Sequence, residues 1–145
     1  MKVKIRYLEH HAGLPPLNRM TKGSSGFDIQ AACPDDIVIE PGRAALIPAG
    51  FELSIPAGYE AQVRPRSGLA IKSRIGLLNG PGTIDSDYRG EVCAILYNFG
   101  GERFVVRRGA RVAQLVFCRL PAVDIIEEER LDATERGAGG FGHTG

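Results

Sequence analysis

The sequence has almost no excess of charge of either sign. It carries 18 Lys and Arg against 17 Asp and Glu, a net charge of +1. A duplex-binding protein normally shows a strong basic surplus, so stable nucleic-acid binding is not expected, although local phosphate binding stays open. Long apolar runs are missing too. The longest stretches without a charged residue, Ile75–Ile84 and Val92–Gly101, are ten residues each, whereas a membrane helix needs about 20. No membrane association is expected. The opening Met1-Lys2-Val3-Lys4-Ile5-Arg6-Tyr7 alternates charge and lacks the apolar segment of a secretory leader. Cysteine is scarce: Cys33, Cys93 and Cys118 are odd in number, far apart, and form no CxxC. His10, His11 and His143 fall in no finger spacing. A disulfide framework and a structural zinc site are therefore excluded, and a reducing, cytoplasmic setting is the simplest expectation. Helical periodicity is nearly absent. Only Ser67–Ile75 approaches it, and that segment is short.

What the sequence does have is glycine, 19 of 145 residues, together with 9 prolines. The hydrophobic fraction of 43% is that of a folded chain, so glycine punctuates a globular protein. The length suits one domain. Turn signals recur at Pro34-Asp35-Asp36, Pro41-Gly42, Pro48-Ala49-Gly50, Pro56-Ala57-Gly58, Asn79-Gly80-Pro81-Gly82 and Gly100-Gly101. Between them the pattern has period two. Val3, Ile5 and Tyr7 alternate with charges, as do Phe51, Leu53 and Ile55 with Glu52 and Ser54, while Val92–Tyr97 and Val112–Phe117 are short apolar runs. Short strands at regular spacing predict an all-β sandwich or barrel with at most one short helix. The charged segment Asp124–Glu135 follows Pro121 and reads as an extended arm, spanning about residues 120–135 of a domain over 1–135. Residues 136–145 read as a flexible glycine-rich tail.

Several segments can carry chemistry. Gly137-Ala138-Gly139-Gly140-Phe141-Gly142 is formally a GxGxxG, but a dinucleotide fold needs a helix and an acid about 20 residues on, and only three residues follow. Bare backbone can still approach phosphate; Arg136 offers a forked cation and Phe141 a ring for a base. The competing reading is a solvated tail. In Arg64-Pro65-Arg66-Ser67-Gly68 a strand ends where a helix begins, which suits an anion, although Ser67 could simply cap the helix. Asn79–Gly90 contains Asn-Gly and Pro-Gly pairs expected to form a tight hairpin against which a flat ligand could lie. Asn79 has the donor and acceptor for a base edge, Asp85 is a candidate general base, and Tyr88 a flat wall. The alternative is a turn with surface acids. Asp28, in a strand-like run, and Gln114, after Arg108 and Arg111, are weaker signals. No Ser–His or Cys–His constellation is visible.

In order, these segments resemble the five motifs of the trimeric deoxyuridine triphosphatase (dUTPase) family: Ser25-Gly26-Phe27-Asp28-Ile29; Pro65-Arg66-Ser67-Gly68-Leu69-Ala70; Asn79 to Gly90; Gly109-Ala110-Arg111-Val112-Ala113-Gln114; and Arg136 to Gly145. Two positions depart from the commoner pattern, Ala110 where Asp is frequent and His143 where Ser is frequent. The resemblance implies Mg²⁺-dependent hydrolysis of dUTP to dUMP and pyrophosphate, which limits uracil incorporation into DNA and supplies dUMP for thymidylate synthesis. It also implies a distorted jelly-roll fold and a homotrimer whose active sites are shared among subunits. By resemblance, Asp85 activates the attacking water. Asn79, Gly82 and Ile84 read uracil, Tyr88 lies under the deoxyribose, and Phe141 covers the base. Arg66, Ser67, Gly68, Gln114 and Arg136 contact phosphates, and Asp28 holds water of the metal shell.

This set is chemically coherent. Attack at phosphorus needs a positioned water, a base and dispersed positive charge. Mg²⁺ binds mainly through phosphates and water, which agrees with the lack of a carboxylate cage in the sequence. Uracil and cytosine reverse the donor and acceptor at their pairing edges, so fixed backbone partners discriminate strongly between them. Two other readings are a dCTP deaminase-branch enzyme of the same superfamily, which would need a glutamate base near the pyrimidine, and a non-catalytic nucleotide-binding jelly roll.

Overall fold

The computed structural model describes residues 1–142; His143 and the rest of the fifth motif beyond it lie outside the described residues. Ten strands and one α-helix follow one another: β1 (Lys4–Tyr7), β2 (Phe27–Gln30), β3 (Ile37–Ile39), β4 (Ala44–Ser54), β5 (Tyr59–Arg64), α1 (Ser67–Ser73), β6 (Ile75–Leu77), β7 (Gly82–Ile84), β8 (Glu91–Asn98), β9 (Phe104–Val106) and β10 (Arg111–Arg119). The all-β expectation, with one short helix, holds. Residues predicted to alternate do form strands, and α1 stops at Ser73, two residues earlier than the periodicity suggested, because Ile75 is already in β6.

The strands form two four-stranded sheets, ordered β1-β4-β8-β6 and β2-β10-β5-β7, and a β3-β9 ribbon. All the pairings are antiparallel. The core comes from one side of each sheet. Val92, Ala94 and Leu96 of β8 face it, as do Ala61 and Val63 of β5, Ile29 of β2 and Leu115 of β10. Burying a Leu or Ile side chain contributes about 1.5–3 kcal/mol, so this double-sided seam dominates the stability.

The two outer faces differ. On the β2-β10-β5-β7 sheet, Asp28, Gln114, Arg64, Gln62 and Glu60 are partly exposed and mostly polar. On the β1-β4-β8-β6 sheet the outer face carries Leu46 (61% exposed), Ile95, Tyr97 and Cys93, with Leu78 and Phe99 exposed beside it. Cys93 and Cys118 sit in apolar runs, yet both are only half-buried, because each occupies the outward register of its strand. Burial raises the Cys93 thiol pKa, with the neighbouring Glu91 carboxylate adding to the shift and a hydrogen bond from the Ala49 backbone opposing it.

The Asn79–Gly80 turn is not a hairpin. β6 pairs with β8 and β7 pairs with β5, so this turn carries the chain from one sheet to the other. Residues 120–128 have no regular secondary structure, and Val123, Ile125, Ile126 and Leu131 in and after this segment are 69–94% exposed. No helix among the described residues is long and apolar enough to cross a membrane.

Candidate active site

Cross-strand register gathers one cluster of the candidate residues. Gln114 of β10 lies opposite both Asp28 of β2 and Arg64 of β5. Opposed residues share a face, so Asp28 and Gln114 project together. A bulge between Arg111 and Ala113 lets Val112 and Ala113 both enter the core and leaves Arg111 outside, beside Asp28. Arg111 Nη1 lies 3.1 Å from Asp28 Oδ2, and Arg66 Nε lies 3.2 Å from Asp28 Oδ1. Arg66 also donates to the Arg111 carbonyl at 3.0 Å, and Gln114 Nε2 to the Pro65 carbonyl at 3.0 Å. Gly26 is required here: a Cβ at that position would collide with the Gln114 side chain.

Partly exposed ion pairs contribute at most about 1 kcal/mol each, so this cluster positions groups more than it stabilises the fold. Arg66 is the N-cap of α1, but no side-chain cap is present. Ser67 is therefore the first helical residue, and its hydroxyl does not cap the helix. The N–H groups of Ser67 and Gly68 have no intrahelical acceptor, since the first helical bonds run from Leu69 and Ala70 to the Arg66 carbonyl. Ala110 packs against the core and its carbonyl accepts from Ala31, so the commoner aspartate is not needed to hold this turn.

The second group of candidate residues lies at and after β7. Gly82 and Ile84 are buried in β7 opposite Val63 and Ala61. A Cβ on Gly82 would stand 3.1 Å from Asn79 Nδ2, so glycine lets the Asn79 amide lie along the start of β7. Asp85 follows β7 and is exposed. Tyr88, 47% exposed, is anchored by its N–H to the Asp85 carbonyl and by its hydroxyl to the Glu91 carbonyl at 3.1 Å. Arg136 donates to the Gly139 carbonyl, and Phe141 is fully exposed with φ of 52°.

The register shows what a single chain does not bring together. Asp28 and Gln114 share a row with Arg64, while Ile84 lies in the row of Ala61 and Phe117. Asp85, one residue further, is thus about 13 Å along the strands and about 14 Å across them from Asp28 by ordinary strand spacings. The Asp28–Arg66–Arg111–Gln114 cluster and Asp85 are thus separate within one chain.

Arg111 is the residue that the motif reading left out of the site. Its signal was present in the sequence as a second arginine three residues before Gln114, but the bulge that aims it at Asp28 has no sequence signature of its own. Among the described residues no cluster of three His, Cys, Asp or Glu could hold a metal. Asp28 does fit a metal-bound water: a carboxylate has about four lone-pair sites, and the two guanidinium contacts leave room for further donors.

The fold is an antiparallel sandwich with cationic side chains gathered around Asp28 at strand ends, and the described residues form neither a Rossmann nor a P-loop frame. The sequence profile of the dUTPase family matches residues 14–145. A Deoxyuridine 5'-triphosphate nucleotidohydrolase of Caulobacter vibrioides is 52% identical, covering 100% of this chain and 95% of that protein. The chain belongs to the dUTPase family. Among solved structures, a Staphylococcus bacteriophage 80alpha dUTPase with dUPNHPP superposes with a TM-score of 0.84 at 25% identity, covering 99% of this chain and 98% of that one. A variant dUTPase of S. aureus phage phi11, described with a structural Mg(II) ion, superposes at 0.78 with 24% identity, covering 90% and 98%.

Proposed function

We propose that this chain is a dUTP pyrophosphatase acting as a homotrimer with shared sites. The carrying observation is the Asp28–Arg66–Arg111–Gln114 cluster, assembled from three of the family's motifs and separated from Asp85 of another. In the reaction, Asp85 accepts a proton from water as the water oxygen bonds to the α-phosphorus. The bond to the bridging oxygen of the β-phosphate breaks, giving dUMP and pyrophosphate. Arg66, Gln114, Ser67 and the Gly68 N–H bind and orient the phosphates. Asn79 and the backbone of Gly82 and Ile84 read uracil. Tyr88 presents its ring to the sugar, where a 2′-hydroxyl would clash. When bound, Mg²⁺ would be held by phosphate oxygens and water, with Asp28 accepting from that water, and would supply positive charge to the departing pyrophosphate.

The trimer reading rests on exposure. Both registers of β8 are apolar, which suits a strand covered on both faces. Leu46, Ile95 and Phe99 on the open face, and Ile125, Ile126 and Leu131 on the arm, would be buried by neighbouring copies. The domain then spans 1–135, and the tail at 136–145 carries Arg136 and Phe141 to a neighbour's ligand. A cytoplasmic location is supported by three unpaired thiols.

Pyrophosphate release from dUTP, dCTP, dTTP and UTP with Mg²⁺ tests the reading. Turnover of dUTP alone is expected. Equal rates on dUTP and UTP would overturn the role of Tyr88, and ammonia release from dCTP would revive the deaminase branch.

A further inference from the structure

A second cationic cavity lies at the other end of α1. It encloses about 450 Å³ between Lys72, Ser73 and Arg74 and the loop Gly100–Phe104, which contributes Arg103. That volume is in the range of small-molecule sites, but the lining is polar and cationic. The ion pairs among the described residues involve Arg6, His10, Arg66, Arg107 and Arg111; Lys72, Arg74 and Arg103 take part in none. Glu102, the cavity's acid, lies within the same loop.

Two features show that the cavity is built. Arg74 adopts a left-handed conformation, with φ of 53° and ψ of 36°, while ending α1 through its N–H to the Ala70 carbonyl. Glycine takes that conformation freely, and a residue with a Cβ pays about 1–2 kcal/mol. In a chain so rich in glycine, an arginine here puts a guanidinium where the fold alone needs none. The opposite wall is held from the core. Asn98 is fully buried; its Nδ2 donates to the carbonyls of Ile39 and Glu102, and its Oδ1 accepts from Gly100 N–H. The Phe99 N–H in turn donates to the Arg74 carbonyl at 2.9 Å, which ties the two walls together. Gly101 has open space where a Cβ would stand, so its backbone is accessible to a ligand.

We infer that this cavity is a second, non-catalytic site for a di- or triphosphate group. Two forked guanidinium groups and an ammonium, against one carboxylate, match a multiply charged phosphate better than a single carboxylate. The phosphate group could belong to free pyrophosphate or to a nucleoside triphosphate. The site stands independently of the proposed hydrolysis, since no residue of the candidate active site lines it.

Equilibrium dialysis of the full chain against labelled pyrophosphate, without metal, tests this. The wild type is expected to bind one more molecule per chain than Lys72→Glu/Arg103→Glu, with dUTP turnover unchanged in the variant. An equal count in the two proteins, or no binding to the wild type, would overturn the site. The amide NMR signals of Gly100 and Gly101 in the wild type give a reading that needs no variant. Both should shift on adding pyrophosphate, and fixed signals contradict the inference. Repeating the titration with a non-hydrolysable deoxynucleoside triphosphate separates the sources. Equal or tighter pyrophosphate binding supports the free anion, tighter nucleotide binding supports the nucleotide, and no response to either overturns the proposal.

Discussion

The outer faces of the two sheets are made from similar strands and behave oppositely. The β2-β10-β5-β7 face is mostly polar and largely paired within the chain: Asp28 holds Arg66 and Arg111, Gln114 holds Pro65, and Gln62 links Arg64 with Glu60, while the buried Gln30 Oε1 has no partner among the described residues. The β1-β4-β8-β6 face leaves Leu46, Ile95 and Tyr97 open, with Phe99 and Leu78 exposed at its edge. One face pairs its side chains largely within the chain and the other leaves apolar side chains open. The candidate site lies on the first sheet but is split along it, with the Asp28 cluster at one edge and Asp85 exposed after β7 at the other, about 13 Å along the strands and about 14 Å across them.

The largest effect is expected at the exposed Asp85. Asp85→Asn should lower turnover about 10²–10⁴-fold, the usual contribution of a general base, while dUTP binding measured by calorimetry is retained. Retained turnover would remove Asp85 as the base. Next, Leu46→Asp places a charge on the open apolar face. If that face is an interface, an unpaired buried carboxylate costs several kcal/mol, and light scattering should show dissociation with the β-sheet circular dichroism intact. An unchanged assembly would mean this face is solvated.

The paired face gives smaller effects. Arg111→Gln leaves Arg66 with one fewer constraint, and about a tenfold loss in kcat/KM is expected, the equivalent of one hydrogen bond to a charged group. Loss confined to thermal stability would make Arg111 structural.

The smallest effect concerns His11, which packs under Tyr7 with ring centroids 4.3 Å apart. Burial, then the charges of Arg108 and His10, depress its pKa below the ordinary 6.5. The unfolded chain therefore binds the proton more readily. The resulting stability is present in full above 6.5 and is lost as pH falls through the lower folded value. Thermal midpoints should decline as pH falls from 6.5 toward the folded value, and His11→Gln should flatten that part of the profile.

Much of this was legible in the sequence, unevenly. Period-two runs located β1 and the second half of β4, because alternation follows directly from the pleat, and short apolar runs located β8 and β10. The ordered motifs pointed to the family, which the profile match over residues 14–145 shows. The destination of the Asn79 turn was not legible, since Asn-Gly and Pro-Gly encode a reversal but not which strand receives β7. Nor was the outward placement of Cys93: both registers of Val92–Tyr97 are apolar, so composition cannot say which faces the core of the chain and which faces out. The bulge at Val112 has the same character, being a local insertion that only pairing with β2 reveals.

The central claim is that the Asp28 cluster and Asp85 meet between copies. Mixing Asp85→Asn chains with Arg66→Ala chains, each inactive alone, and refolding them together tests it most directly. With sites shared between subunits, random equal mixing leaves about one site in four with both residues intact, so about a quarter of wild-type activity should return. A mixture as inactive as its components would show that each chain carries its whole site and would contradict the account.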